Sequence, residues 1–334
     1  MKLLGRMSKN DIQFVVYLPG DYEQSFKYLL YWLPRLLKLD IGFAILVRNI
    51  DFYNRLRSEL GNLRTYYAGS PLEVEAIFKS CPKLTTITYL SNFAVNIHSQ
   101  RFNEYRHVFL GNRNTDFYSI PSNLYRVYDS IFITGNFSYR KFEKVGMTSL
   151  GIHMPMVGLP VQHNNLVDDR VVKLVVGDEC LVRRNFLKIV SALIASKCYE
   201  VFQIEFVNKK ARSLAGDLKE FAMAFNIDIE ILDGQRCRSA GLIISDIDKF
   251  TSKNLCAHSP ALYLSGNKNR IAPSTVPIFF DSIPLSLLNS DGRFLERDVS
   301  AALEEVDIGV WNKFWSDNFE DCSFDSVFKA ELNQ

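Results

Sequence analysis

Three polar stretches of this chain carry residue types that can do chemistry, and each follows an apolar run of strand length. The first is Gly111 to Ser119, behind Tyr105–Leu110, with Asn112, Arg113, Asn114, Thr115 and Asp116. Amide and guanidinium groups there can position an acceptor hydroxyl, and the Asp116 carboxylate can take its proton as general base. An ordinary polar loop has the same composition. The second stretch runs from Ser245-Asp246 to Leu255, with a helix expected to open around Thr251-Ser252. Unpaired backbone N–H groups at a helix start, beside serine and threonine hydroxyls, suit a diphosphate. Lys249 and Lys253 add charge. A simply capped helix competes with that reading, since Asp248 and Thr251 are both good N-caps. The third is Asn208-Lys209-Lys210-Ala211-Arg212, a basic cluster after Val201–Val207 that can face an anionic donor or only water.

Other residues invite plainer readings. His98 and Arg101 share a short expected helix and are expected to pack or pair structurally or to serve the acceptor, with Glu104 a partner for Arg101 or Arg106. His107 sits inside an apolar strand and reads as a satisfied core residue. Five histidines show no metal spacing, and six cysteines form no CxxC pair, so no metal site is expected and the thiols read as buried and free. No Gly-x-Gly-x-x-Gly follows a strand, and there is no Walker Gly-Lys-Ser/Thr and no Gly-x-Ser-x-Gly. These absences argue against a dinucleotide enzyme, a P-loop kinase and an α/β-hydrolase.

The elements that must position these stretches alternate between short apolar runs and helical periodicity. Strands are expected at Ile12–Leu18, Ile41–Val47, Arg64–Ala68, Leu84–Leu90, Tyr105–Leu110 and Ser130–Thr134. Helices are expected at Asp21–Leu39, Asp51–Leu60 (Asp51 as cap), Pro71–Ser80, His98–Glu104 and Phe137–Val145, the last closed by Gly146. After a looser stretch from Gly151 to Asp169 the alternation begins again. It gives strands at Val171–Val176, Val201–Val207, Ile227–Leu232, Gly241–Ser245, Ala261–Ser265 and Val276–Phe280, and helices at Arg184–Ser196, Ala211–Phe225 and Phe250–Ala257. Such alternation predicts two α/β units with mostly parallel sheets. The expected domains are residues 1–157 and 158–310. The helical tail, 311–334, is expected to pack back on the first, with Trp311, Phe314, Trp315 and Phe328 as its apolar contacts.

The bulk numbers agree with two globular domains. The chain has 334 residues, 47% hydrophobic and 23% charged. Lys+Arg is 39 against 37 Asp+Glu, so no global field points to nucleic acid. No apolar segment is long enough to span a bilayer, so membrane contact is expected to be peripheral at most.

Several of these residues also carry a family likeness. Phe14-Val-Val-Tyr, Trp32-Leu-Pro, the block Asn96, His98, Arg101 and Phe102, and Tyr128-Asp-Ser-Ile-Phe-Ile-Thr-Gly135 resemble the first domain of the CDP-glycerol glycerophosphotransferases of teichoic-acid and capsule synthesis. Ser245-Asp-Ile-Asp and Ser252 through Pro260 resemble a segment of that family's second domain. The resemblance implies two Rossmann-like domains facing a cleft, the glycosyltransferase-B arrangement, with the nucleotide held mainly by the second. The chain departs from the family at its signature loop, His-Gly-Asp-Ser-Asp-Lys. Asn112 stands where the family has histidine, and Phe117 where it has lysine. Asparagine cannot accept a proton at neutral pH. Asn208-Lys209-Lys210 likewise takes the place of a family Arg-Pro-His-Pro element.

The sequence therefore predicts a cytoplasmic transferase, peripheral to the inner face of the membrane if it touches it. It would use a nucleotide-activated donor, a cytidine nucleotide by family likeness, and a polysaccharide or lipid-linked glycan acceptor. Ser245, Asp246, Ser252, Lys209 and Lys210 would hold the donor. Asp116 would act as base, Asn112 and Arg113 would position the acceptor, and no cofactor would be required. The alternative is a degenerate homologue serving as a binding or scaffold subunit; a nucleotide-sugar epimerase shares the layout. Oligomeric state is left open.

Overall fold

A computed structural model describes residues 9–20, 22–61, 63–111, 121–158, 168–176, 185–195, 199–206, 212–213, 215–224, 226–232, 240–246, 260–265, 286–289, 296–319 and 324–333. The chain divides into two compact units. The first comprises Met1–Thr115, Ser119–Val161 and Asn318–Gln334, and the second Asp116–Tyr118 and Gln162–Asp317.

Unit 1 is built on six strands: β1 Phe14–Leu18, β2 Phe43–Val47, β3 Thr65–Tyr67, β4 Thr86–Tyr89, β5 Arg106–Phe109 and β6 Ser130–Ile131. All pair in parallel in the order β3-β2-β1-β4-β5-β6. Parallel crossovers put helices on both faces, which is why the central strand, Phe-Val-Val-Tyr-Leu, is apolar at every position and buried throughout. Phe14, Val16 and Leu18 meet Leu29, Trp32, Leu33 and Leu36 of helix α1, Tyr22–Lys38. Val15 and Tyr17 join the opposite layer, with Val74 and Phe78 of α3, Pro71–Lys79. Helix α2, Ile50–Glu59, lies between them in sequence. Its N-cap is Asn49, whose side chain accepts from Phe52 N at 3.0 Å; the expected cap, Asp51, lies inside the first turn. Asn49 wins because its backbone is extended, the conformation a cap needs.

Between β4 and β6 the helices are short. A 3₁₀ turn, Ala94–Asn96, precedes α4, Ile97–Gln100, so the expected helix to Glu104 stops four residues early. Helix α5, Asn136–Lys144, ends where Gly146 takes a positive φ of 72°. That is the left-handed stop a glycine allows. The sixth strand is shorter than expected. Beyond Ile131 the backbone hydrogen-bonds the incoming segment His153–Val157 through the Ile133 N–H to the Pro155 carbonyl and the Val157 N–H to the Ile133 carbonyl.

Unit 2 repeats the plan. Its strands are β7 Asp168–Val176, β8 Val201–Phe206, β9 Ile229–Leu232, β10 Ala240–Asp246, β11 Ala261–Ser265 and β12 Ser286–Asn289, parallel in the order β12-β11-β10-β7-β8-β9. One sheet face packs Val172, Leu174, Val176, Phe202, Ile204, Leu242 and Ile244 against α6, Phe186–Ala195. Helix α7, Ala215–Ala224, contributes Leu218 to this layer, and α8, Glu296–Glu304, contributes Ala302. No strand is expected from the sequence at β12, whose Ser-Leu-Leu-Asn is too short to announce itself. The expected helix Phe250–Ala257 and strand Val276–Phe280 lie outside the described residues.

Two helices follow. α9, Ile308–Phe319, buries Trp311, Phe314 and Trp315. α10, Phe324–Leu332, belongs to the unit 1 core: Phe328 meets Phe14 edge-on at 5.0 Å, and Phe324 packs on Trp32 at 5.2 Å. Glu331 of α10 is fully buried, yet it accepts from Arg106 and Ser130 and meets His153 Nδ1 at 2.9 Å. Burial alone would raise its pKa; the hydrogen bonds from Ser130, Arg106 and His153 outweigh that and hold the carboxyl below its ordinary value.

Candidate functional site

In a sheet of this order the strand sequence reverses between β1 and β4, and ligands bind beyond the carboxyl ends of such a pair. In unit 1 those ends are the turn Pro19-Gly20 and the segment Ser91-Asn92-Phe93. The two loops touch. A Cβ added at Gly20 would lie 2.4 Å from Phe93 Cε2 and 3.2 Å from Ser25 Oγ. Only glycine allows this approach, so the Pro-Gly turn is needed for the loops to close on each other.

Around that closure lie polar atoms with no protein partner. Ser25 Oγ on α1, Ser91 Oγ after β4 and Asn96 Oδ1 on the 3₁₀ turn are buried and make no hydrogen bond. Leaving such an atom unsatisfied costs about 1–3 kcal/mol. Three at one strand edge call for an explanation, which an ordered water or a hydroxyl-bearing ligand supplies.

Other side chains of the edge form a connected hydrogen-bond chain. Asn96 Nδ2 donates to the Ser91 carbonyl at 2.7 Å and to Tyr128 Oη at 2.9 Å. Tyr128 Oη donates to Asn92 Oδ1 at 3.0 Å, and Asn92 Nδ2 to Ser122 Oγ at 3.2 Å. Deeper in, Tyr89 Oη lies 2.8 Å from His107 Nδ1, and His107 Nε2 lies 3.2 Å from the Phe102 carbonyl. A carbonyl only accepts, so the Nε2 proton faces it and Nδ1 accepts a hydrogen bond from the Tyr89 hydroxyl. Burial lowers the His107 pKa and outweighs the pull of the Phe102 carbonyl, which leaves the ring neutral at pH 7. Burial likewise raises Tyr89 and Tyr128, so both phenols keep their protons. His107 is thus a satisfied core residue, as its apolar strand suggested.

The residues singled out from sequence fall into three groups. Asn112, Arg113, Asp116, Ser252, Lys209 and Lys210 lie outside the described residues. What is visible is the entry to the Asn112–Asp116 loop: Trp32 Nε1 donates to the Gly111 carbonyl at 2.8 Å, and Gly111 has a φ of 87°. Ser245, fully buried, stands near the end of β10, in register with Val175 of β7 and Tyr263 of β11. Strands β7 and β10 are where the second sheet reverses order, so Ser245 does sit at a switch point; Asp246 ends the same strand. His98 and Arg101 are exposed. Arg101 pairs with Glu75 at 3.7 Å and lies over the Phe102 ring at 4.8 Å, a structural role. The expected partner Glu104 is displaced from both arginines: Arg101 turns to Glu75 and Arg106 to Glu331. Long side chains reach another element more easily than a neighbour three residues along an irregular turn.

Gly20, Ser25 and Ser91 escaped the sequence reading. The available signal was a Pro-Gly pair directly after a fully apolar strand, and Ser-Asn after another. Among the described residues, no group of three or more His, Cys, Asp or Glu side chains could hold a metal ion, and no helix is long and apolar enough to cross a membrane. Cys81 is buried and free; the other five cysteines lie outside the described residues.

No family model and no curated relative matches the chain. Solved structures do. A glycosyltransferase from Rickettsia africae superposes with a TM-score of 0.55 at 10% identity, over 97% of this chain and 98% of that one. MurG from Acinetobacter baumannii gives 0.52 at 10% identity, covering 96% and 99%. A UDP-GlcNAc 2-epimerase from Neisseria meningitidis gives 0.53 at 11%, covering 96% and 99%. At such identities the likeness shows the fold: two Rossmann-like domains of the glycosyltransferase-B type.

Proposed function

We propose that the protein transfers a sugar or polyol-phosphate group from a nucleotide-activated donor to a hydroxyl of a surface-glycan acceptor. One observation carries the acceptor side: unpartnered buried polar atoms at the switch point of unit 1. Ser25 Oγ, Ser91 Oγ and Asn96 Oδ1 can each bond a hydroxyl without losing a protein partner. On the donor side, Ser245 stands at the corresponding point of unit 2, and the sequence reading assigns Asp246, Ser252, Lys209 and Lys210 to the same proposed diphosphate site. Asp116 acts as base: it takes the acceptor proton as the hydroxyl attacks, and the nucleotide leaves with the bonding electrons. Asn112 and Arg113 orient the acceptor. Lysines and helix N–H groups can neutralise that leaving group without a metal. The cytidine donor and the capsule or teichoic-acid setting rest on the sequence resemblance. The protein would work in the cytoplasm, against a membrane-bound acceptor where the glycan is lipid-linked.

The test is calorimetric titration with CMP, CDP, UDP and GDP, then with the nucleotide sugar of whichever binds. Selective binding in the micromolar range supports a donor site. Absence of binding by all four overturns the transferase reading in favour of a scaffold subunit. Conversion of the nucleotide sugar with no acceptor present would identify an epimerase instead. Asp116→Asn should cut turnover at least a hundredfold with donor binding retained.

A further inference from the structure

We propose that Phe93 is a platform on which a pyranose ring of the acceptor stacks, so that the acceptor presents a sugar to unit 1 and not an open polyol chain; this rests on the transferase reading above. Phe93 stands in the segment that follows β4, where the strand order of the sheet reverses. The Cδ2 and Cε2 atoms of its ring are the ones nearest Gly20, in the turn that follows β1. The ring therefore lies where the two loops meet, at the place where a sheet of this kind takes its ligands.

Its surroundings set it apart from the rest of its kind. Every other phenylalanine with a described side chain in unit 1 belongs to one of the two apolar layers. Phe93 belongs to neither, makes no ring pair among the described residues, and is partly exposed. Its backbone is fixed all the same. It is extended, at φ −87° and ψ 146°, and the Phe93 carbonyl accepts from Asn96 N at 2.9 Å. On the preceding residue, Asn92 Oδ1 accepts from Tyr128 Oη at 3.0 Å. An aromatic ring held at a ligand edge, open to solvent and used by neither core, is apolar surface that a ligand can bury.

A pyranose suits that surface and the polar groups beside it. Its ring C–H bonds form an apolar face, and their slightly positive hydrogens meet the negative face of an aromatic ring. Its hydroxyls point outward, away from that contact. Asn92, the chain neighbour of Phe93, and Ser122 can receive them. Asn92 Nδ2 donates to Ser122 Oγ at 3.2 Å, which leaves one amide N–H and the serine O–H for a ligand. Ser122 is exposed and Asn92 partly exposed, so both can be reached from solvent. An aromatic wall supplies contact area, and a few polar groups beside it fix orientation. Ribitol or glycerol phosphate offers hydroxyls but no flat C–H face, so it gains the hydrogen bonds without the stacking.

The experiment titrates the full-length protein with methyl β-glucopyranoside, methyl β-galactopyranoside, ribitol and glycerol phosphate, following the ligand C–H protons by NMR. At least one pyranoside should bind about tenfold or more tightly than either polyol, with its ring protons shifted upfield by the aromatic ring current. Phe93→Leu, which keeps an apolar side chain, should weaken that pyranoside about tenfold and remove the shift; Phe93→Tyr should keep both. Polyols bound as tightly as the pyranosides overturn the platform. So does a pyranoside bound without the upfield shift, a readout of the wild-type protein that stands even if a variant fails to fold. Binding unchanged in Phe93→Leu overturns it too. CMP, CDP, UDP and GDP are titrated in the same buffer, followed by the nucleotide sugar of whichever binds. Displacement of the pyranoside by that nucleotide sugar would put the donor's sugar on the ring and overturn the acceptor assignment. No nucleotide bound sinks the transferase reading, while the ring-current shift still decides the platform; nucleotide bound without pyranoside preference sinks the platform alone.

Discussion

Units 1 and 2 share a strand order but place their buried polar groups differently. In unit 1 both sheet faces are apolar cores, and unsatisfied atoms at Ser25, Ser91 and Asn96 gather at the carboxyl edge, while Arg106 Nε is a further one at the amino end of β5. In unit 2 one face is apolar, while the other carries Lys173, Gln203 and Glu205 within the sheet itself. Lys173 and Glu205 form an ion pair, and Gln203 Nε2 donates to Glu230 at 3.0 Å. Charge inside a sheet must be paired to be tolerated, whereas polar atoms at an edge can wait for a ligand. Gln203 Oε1 has no hydrogen-bond partner either, so neither topology nor an unsatisfied atom marks a site alone; the two coincide at the unit 1 edge.

The sharpest way to break this contrast is in unit 2. Lys173→Ala strands the Glu205 carboxylate and should cost about 3–5 kcal/mol in urea unfolding. The double variant Lys173→Met with Glu205→Leu should cost less than either single change. If the single substitution is harmless, the pair is not structural and the contrast fails.

Gly20→Ala comes next. Its Cβ drives into the Phe93 ring, and overpacking of this kind costs about 1–3 kcal/mol. A larger loss in acceptor affinity than in donor affinity would tie the closure to the acceptor side.

The Glu331 anchor, fully satisfied, should respond to acid. Because its folded pKa is depressed, its contribution is present above the unfolded value near ~4.3 and lost as pH falls through the folded one. Glu331→Gln should lower stability by about 2 kcal/mol at pH 7 and flatten the acid limb of the stability profile.

The smallest effect on stability is expected at the edge. Ser25→Ala and Ser91→Ala remove hydroxyls that bond nothing, so stability should stay within about 0.5 kcal/mol of wild type or rise. Acceptor turnover should fall all the same. Lost stability with intact turnover would show that these hydroxyls serve the fold.

Much of the fold could be read from the residues in order. Phe14–Leu18 and Phe43–Val47 announce buried parallel strands because burial on both faces leaves no polar position. Helical spacing at Leu29, Leu33 and Leu36 fixes α1, and Gly146 its own helix stop. Local sequence settles such matters since strand and helix periodicity depend on neighbours a few residues apart. The site was less legible. Ser25 and Ser91 are 66 positions apart by number and ordinary in type, and only the close approach at Gly20 makes them one edge. Which polar atoms find partners depends on long-range packing, and no spacing rule along the chain records that.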